Sequence, residues 1–281
     1  MFEETIAAIK PLNESAMTRC QIRLDNLTKP LDSLYAFEHL ARKMAGITGN
    51  PRPGELYPKV FLINGSLRTP GMLDIFAGHV LAKIHEFDIC DSSLNKQQCV
   101  KLVEQGMEMA LAATAAGTRA VGIGMVGRLS PAVSSEIQAW FCNGDEDPVC
   151  LLTRIGMPEL AAMTGIVLGS AAGGAAVVLD DLSTTAAALV AIRMAPQVKD
   201  YLVGSHFAAE RTHAEALQLM DLPAYLYLGM NVGEGMGAAL GISMLQASLH
   251  VLNDMKTFAE AEVHIAEDGP GALVQSKECR D

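Results

Sequence analysis

The order of short apolar runs and longer helical stretches predicts an α/β fold with a mostly parallel sheet flanked by helices, preceded by a helical N-terminal region. Four apolar runs, 59–63 (KVFLI), 120–123, 176–179 and 224–228, each stop at or near glycine, asparagine or aspartate. Helical stretches lie between them, as parallel strands joined by crossovers require. The first 48 residues read as helix, with no alternating pattern. Half of the 281 residues are apolar and only 5% aromatic, with alanine and glycine abundant, a composition that suits close helix-on-sheet packing.

From the N-terminus, helices are expected over 2–9 and 14–24, and a third through Leu34, Phe37, Leu40 and Met44, set apart by the turn around Pro30. Residues 49–58 (GNPRPGELYP) hold three of the twelve prolines and read as a linker. The first strand ends at Asn64-Gly65 and the second in glycines. Residues 160–179 carry no charge for about a membrane thickness and place Gly165, Gly169 and Gly173 at GxxxG spacing. Without aromatic or basic flanks, the segment divides more naturally into a helix and, after Gly173-Gly174, a short buried strand ending at Asp180-Asp181. The run 224–228 ends near Gly229. Beyond it Ala238, Leu240, Ile242, Leu245, Leu249 and Leu252 recur at helical spacing, with Ser243, Gln246 and His250 between them. Ligands of parallel sheets bind beyond the carboxyl ends of the strands. Asp180 and the loops 122–130 and 229–237 belong at that edge.

A net charge of −11, with no basic run of five, argues against nonspecific nucleic-acid or anionic-membrane binding. Cys20, Cys90, Cys99, Cys142, Cys150 and Cys279 form no CxxC pair, which points to reduced thiols and a cytoplasmic protein. The acidic start MFEETIAAIK lacks the order of a signal peptide. Gly122-x-Gly124-x-x-Gly127 after a strand formally satisfies a dinucleotide fingerprint. Pro131 and the absence of a following strand favour a tight turn instead, one that a phosphate can approach, and no cofactor is expected. His206 and His213, with Glu210 between, can share one helix face. A solvated or capped helix start is preferred there over a metal site, and no HExxH pair or GxSxG elbow is present.

The most informative segment is LGMNVGEGMGAAL (228–240), where Glu234 stands between Gly233 and Gly235 at the entrance to an apolar helix. Flanking glycines let the backbone turn tightly against a ligand, which is where a general base belongs. A helix N-terminal acid that offsets the macrodipole is the other reading of the segment alone.

Taken in order, LDNLTKPLDSL (24–34), TRIGMPELAAMTGIVLGSAA (153–172), VVLDDLSTTAAALVA (177–191), HFAAERTHAEAL (206–217), LGMNVGEGMGAAL and MKTFAEAEV (255–263) resemble the nicotinate-nucleotide:dimethylbenzimidazole phosphoribosyltransferase family of cobamide synthesis. The resemblance implies a Rossmann-like parallel α/β domain over 59–244, and a small helical domain from residues 1–50 plus about 245–281, in a dimer. It implies transfer of phosphoribosyl from nicotinate mononucleotide to an aromatic base or phenol. Glu234, in the family's GEG position, would be the base, and Gly124, Gly127, Asp180, Glu210, Gly233 and Gly235 would bind substrate. No metal is implied.

The chain departs from the family pattern where phosphate should bind. The loop GIGMVGRLSPA has Met125 for an acidic residue and Ser130-Pro131-Ala132 for Asn-Thr-Thr. The lysine-bearing segment that follows in the family is shortened here to an acidic GDEDP, with no lysine from 129 to 152. Asp180-Asp181-Leu182 replaces Asp-Gly-Phe, Ala208-Ala209-Glu210-Arg211-Thr212-His213 replaces Ser-x-Glu-Pro-Gly-His, and Asn64-Gly65-Ser66 replaces Asp-His-Gly. Arg128 is the side chain available to substitute in part. Two readings follow: a phosphoribosyltransferase working as a homodimer or, by preference, as one subunit of a heterodimer with a paralogue, and a catalytically silent member serving as binding or regulatory partner.

Overall fold

The computed structural model describes residues 1–68, 71–89 and 94–262. Cys90, Cys279 and the last part of the expected helical domain lie outside the described residues. The chain divides into two compact units, Met1–Pro11 with Leu56–Ser243, and Leu12–Glu55 with Met244–Asp281.

The larger unit is built on five parallel strands, β1 (Lys59–Ile63), β2 (Lys83–Phe87), β3 (Ala120–Met125), β4 (Ala176–Val178) and β5 (Leu202–Val203), in the order β2-β1-β3-β4-β5. β1 and β3 pair in the register Lys59↔Val121 to Ile63↔Met125. Covered on both faces, they read as unbroken apolar runs. The edge strand β2, KIHEF, has no such run because much of it is exposed. No strand signal marks it in the sequence, nor β5, which is only two residues long.

Residues 224–228 do not form the expected strand. They make a single parallel bridge, His206↔Leu226, and Tyr225 and Leu226 both donate backbone N–H groups to the Ser205 carbonyl. Tyr227 and Leu228 are largely exposed, 80% and 51%, so this apolar run has no second sheet face to fill.

Helices α1 (Phe2–Ala8), α4 (Met72–His79), α5 (Lys96–Ala115), α6 (Pro131–Asn143), α7 (Pro148–Ile155), α8 (Pro158–Ala172), α9 (Leu182–Met194) and α10 (Arg211–Leu219) complete this unit with the start of α11 (Met236–Asp254), while α2 (Glu14–Asp25) and α3 (Tyr35–Thr48) belong to the other. α6, α7 and α8 each open on proline at a first-turn position, where a missing N–H costs nothing. α8 is the uncharged segment, apolar on every side and almost wholly buried. Its glycine spacing serves contact with α5: a Cβ on Gly165 would lie 2.0 Å from the Val103 carbonyl oxygen, and one on Gly106 2.2 Å from that of Ala162. Two helix backbones thus touch. Among the described residues no helix is long and apolar enough to cross a membrane.

Met1–Pro11, which the sequence assigns to the small helical domain, belongs instead with the sheet. The Phe2 N–H donates to Glu104 of α5, and the Tyr201 hydroxyl donates to the Lys10 carbonyl.

The smaller unit holds α2 (Glu14–Asp25), α3 (Tyr35–Thr48) and the last part of α11. Leu27 bridges Thr257, and Arg23 reaches both the Leu252 carbonyl (2.9 Å) and Glu260 (2.9 Å), so early and late segments of the chain are tied together. Lys29 of the TKP segment and Glu38 of α3 form a buried ion pair at 2.8 Å.

Candidate active site

β3, β4 and the loop before α11 meet at the carboxyl edge of the sheet. The loop crosses directly over Gly124, the penultimate residue of β3: a Cβ there would sit 2.2 Å from the Gly235 nitrogen and 2.7 Å from the Glu234 carbonyl carbon. Only a residue without a side chain admits the loop at this height. Glu234 itself has φ 63°, a left-handed conformation rare for a non-glycine residue, and Gly235 follows at φ 86°. Such backbone costs of order 1–3 kcal/mol and persists only where the surroundings enforce it.

The enforcing group is Asp180, just past β4 and fully buried. Its Oδ2 accepts the Gly235 N–H at 2.6 Å and its Oδ1 the Gly237 N–H at 2.7 Å. Gly237 lies in the first turn of α11, so Asp180 satisfies a helix N-terminal donor from a different element. Gly235 immediately precedes the helix and has no side chain with which to do this. Burial, and then the neighbouring Asp181 charge, push the Asp180 carboxyl well above the usual carboxylate range, while the amide donors work in the other direction.

Glu234 is therefore not the cap of α11. Its Oε2 is buried without a hydrogen-bond partner. A carboxylate oxygen held at a sheet's carboxyl edge, on a fixed loop and with a lone pair unspent, is equipped to take a proton.

Beside it lies a small pocket whose lining includes Arg128, Asp181, His206, Glu210, Met230 and Gly233. Asp181 caps α9, accepting from Ser183 N (3.0 Å) and Thr184 N (3.2 Å). Burial raises its carboxyl to about 6 against the pull of those amides, and the Glu210 charge adds to the rise. The α9 N-terminus, where an anion would otherwise bind, is thus occupied by the chain's own carboxylate. Arg128 donates to the Asn231 carbonyl and stands 3.8 Å from Glu210, so the guanidinium in this pocket is already engaged. His206 is buried; Ser205 Oγ donates to the Leu179 carbonyl (2.8 Å), which leaves His206 Nδ1 to donate to Ser205 Oγ (2.9 Å). Burial lowers its pKa, and lowers that of His213, 6.0 Å away ring to ring, to about 4. Both imidazoles are neutral near pH 7.

Of the residues singled out from sequence, Glu234, Gly124, Asp180, Gly233 and Gly235 converge, and Glu210 lines the adjoining pocket. Gly127 adopts φ 107° with open space where a Cβ would be, so its glycine is required by the turn and not by close packing. The carboxylates 145–147 do not line the pocket: Asp147 caps α7 and Glu146 pairs with Arg154 at 3.0 Å. Pro131 opens α6, with Ser130 Oγ accepting from Val133 N (3.2 Å), so these replacements build a helix start. Asp181 is the site residue that sequence reasoning passed over. Its signal was the Asp-x-x-Thr spacing of a helix cap.

A family model described as phosphoribosyltransferase matches residues 9–66 and 130–263. A nicotinate-nucleotide–dimethylbenzimidazole phosphoribosyltransferase of Geobacter sp. (strain M21) is 29% identical over 345 aligned positions, covering 94% of this chain and 99% of the relative. The enzyme of that name from Ruminiclostridium cellulolyticum is 27% identical, covering 93% and 97%. Among solved structures, CobT from Thermus thermophilus superposes with a TM-score of 0.80 at 22% identity, over 90% of this chain and 100% of its own.

Proposed function

We infer, for a chain that belongs to the nicotinate-nucleotide–dimethylbenzimidazole phosphoribosyltransferase family, enzymes of the glycosyltransferase type, that it works in cobamide nucleotide-loop assembly. The reaction would move phosphoribosyl from nicotinate mononucleotide to a benzimidazole or phenol. The observation that carries this reading is Glu234, held left-handed between two glycines with Oε2 buried and unpartnered.

Chemically, the C1′–N bond of the donor breaks with its electron pair passing to the cationic pyridinium, which leaves as nicotinate. The acceptor's nitrogen or phenolic oxygen forms the new bond to C1′, and the proton it sheds passes to Glu234. The leaving group is intrinsically good, so the protein's part is to align the two partners and to receive that proton. A positioned base of this kind supplies about 10²–10⁴-fold.

The pocket beside Glu234 supports a heterodimer with a paralogous subunit over a self-sufficient homodimer. Asp181 plugs the α9 N-terminus, Glu210 faces Arg128, and among the described residues that arginine is the one cation in the lining. A dianionic phosphate gains little from such a wall, and a partner with a complete site would make good the deficit. The cytoplasmic location suggested by the cysteine pattern belongs to the same proposal. The same electrostatics favour a second reading, a silent binding or regulatory subunit.

Purification with the paralogous subunit, followed by assay of nicotinate release from nicotinate mononucleotide with dimethylbenzimidazole or a phenol, separates the two. Release by the chain or its complex, reduced at least about 10²-fold in Glu234→Gln, is expected for the base. Release that is indifferent to Glu234→Gln would move the chemistry into the partner's site, and no release from any form would leave the silent reading.

A further inference from the structure

We propose that Asp180 is a positioning residue for Glu234: the carboxylate at the end of β4 clamps the two amides on the helix side of Glu234, and this clamp sets where its carboxylate stands. The inference rests on the reading of Glu234 as the base.

The two hydrogen bonds go to Gly235 and Gly237, the residues one and three beyond Glu234, at 2.6 and 2.7 Å. Both lie at the short end of the N–H···O range, and together they fix the loop at two peptides. Both carboxylate oxygens are spent on main chain, so Asp180 is committed to the loop and is not displayed to substrate. The clamp is itself fixed from behind. The Asp180 N–H donates to Thr184 Oγ1 (2.9 Å), as does the Asp181 N–H (3.0 Å), and Thr184 Oγ1 in turn donates to the Asp181 carbonyl (2.8 Å). On the other side the His206 ring fills the space over Gly237: a Cβ there would lie 2.1 Å from His206 Cε1 and 2.4 Å from Asp180 Oδ1. A rigid strand end thus holds a left-handed glutamate through its neighbour's peptide. The clamp bonds the peptides on the helix side of Glu234 and so helps to offset the cost of its φ of 63°.

A ligand for substrate and a clamp for the base make different demands on kinetics. The test is Asp180→Asn, which keeps the shape but presents an amide N–H to one of the two backbone donors. Measured in the active form of the protein, kcat is expected to fall about 10²-fold, the effect of a base displaced by roughly 1 Å, while KM for nicotinate mononucleotide stays within about threefold. Amide exchange of Gly235 and Gly237 should quicken, with that of Val121 and Ile123 in β3 unchanged. A rise in KM at constant kcat would mark Asp180 as a substrate ligand and overturn the proposal, as would full activity per folded molecule. If the wild type releases no nicotinate, the function proposed above fails, and the exchange measurement still decides the clamp. If Asp180→Asn does not fold, Thr184→Val loosens the same clamp from behind: a lower kcat at unchanged KM, or faster exchange of the same two amides in an inactive protein, supports the proposal, and wild-type behaviour overturns it.

Discussion

Replacing Gly124 by alanine adds one methyl group at the point where the sheet and the Glu234 loop touch. The new Cβ would stand 2.2 Å from the Gly235 nitrogen, 2.5 Å from its Cα and 2.7 Å from the Glu234 carbonyl carbon. All three are main-chain atoms, so no rotamer change can relieve the clash. The loop must rise by about 0.8 Å merely to reach the 3.0 Å that real Cβ contacts respect. That movement stretches the 2.6 Å bond from Gly235 to Asp180 towards 3.4 Å, near the limit of a hydrogen bond. Overpacking costs about 1–3 kcal/mol and a weakened bond to a buried carboxylate of order 1 kcal/mol more. The melting temperature should therefore drop by several degrees. The larger effect falls on turnover, because a base misplaced by about 1 Å loses roughly 10²-fold. Thermal unfolding and nicotinate release, measured on the same preparation of the active form, test both. Wild-type turnover per folded molecule would refute the assignment of chemistry to this loop, and an unchanged melting temperature would refute the steric argument.

Gly165→Ala should destabilise the larger unit by about 1–3 kcal/mol, since its Cβ would lie 2.0 Å from the Val103 carbonyl oxygen; a denaturant midpoint equal to wild type would contradict the backbone contact between α5 and α8. His213 has a folded pKa lowered to about 4 from an ordinary 6.5, burial being the main cause. Between those values the unfolded chain binds more protons, so stability is lost as pH falls through the window, by at most about 3 kcal/mol. His213→Gln should flatten the difference between urea midpoints at pH 7 and pH 5, and a slope equal to wild type would remove His213 as its source.

The sequence exposed the buried half of this fold. β1, β3 and β4 are flanked by helices and read as apolar runs, prolines stand at the starts of α6, α7 and α8, and Gly173-Gly174 marks the turn before β4. β2 was illegible because an edge strand need not be apolar, and β5 because two residues carry no period. The run 224–228 misled because Tyr227 and Leu228 look apolar yet are exposed. At the site, Glu234 could be found from its glycines, since an unusual backbone demands them. The partner of Gly235 and Gly237 could not: Asp180 lies 55 and 57 positions away, and its role depends on two hydrogen bonds that only the folded chain reveals. The pocket's charge balance was half legible. Of the acidic residues 145–147 that draw attention in the sequence, Asp147 serves a helix cap and Glu146 an ion pair, while Asp181 and Glu210 stand on the pocket wall.

The main-chain contact between Gly124 and Gly235 also limits how acceptor preference can diverge. On that side Glu234 is bounded by peptide groups, which no substitution can recolour without moving the base. On the function proposed above, variation in what the site accepts falls to side chains of the adjoining pocket, among them Leu129, His206, Met230 and Val232. A library aimed at new acceptors is best confined to that wall, leaving the glycines and Asp180 as the invariant frame against which the variants are compared.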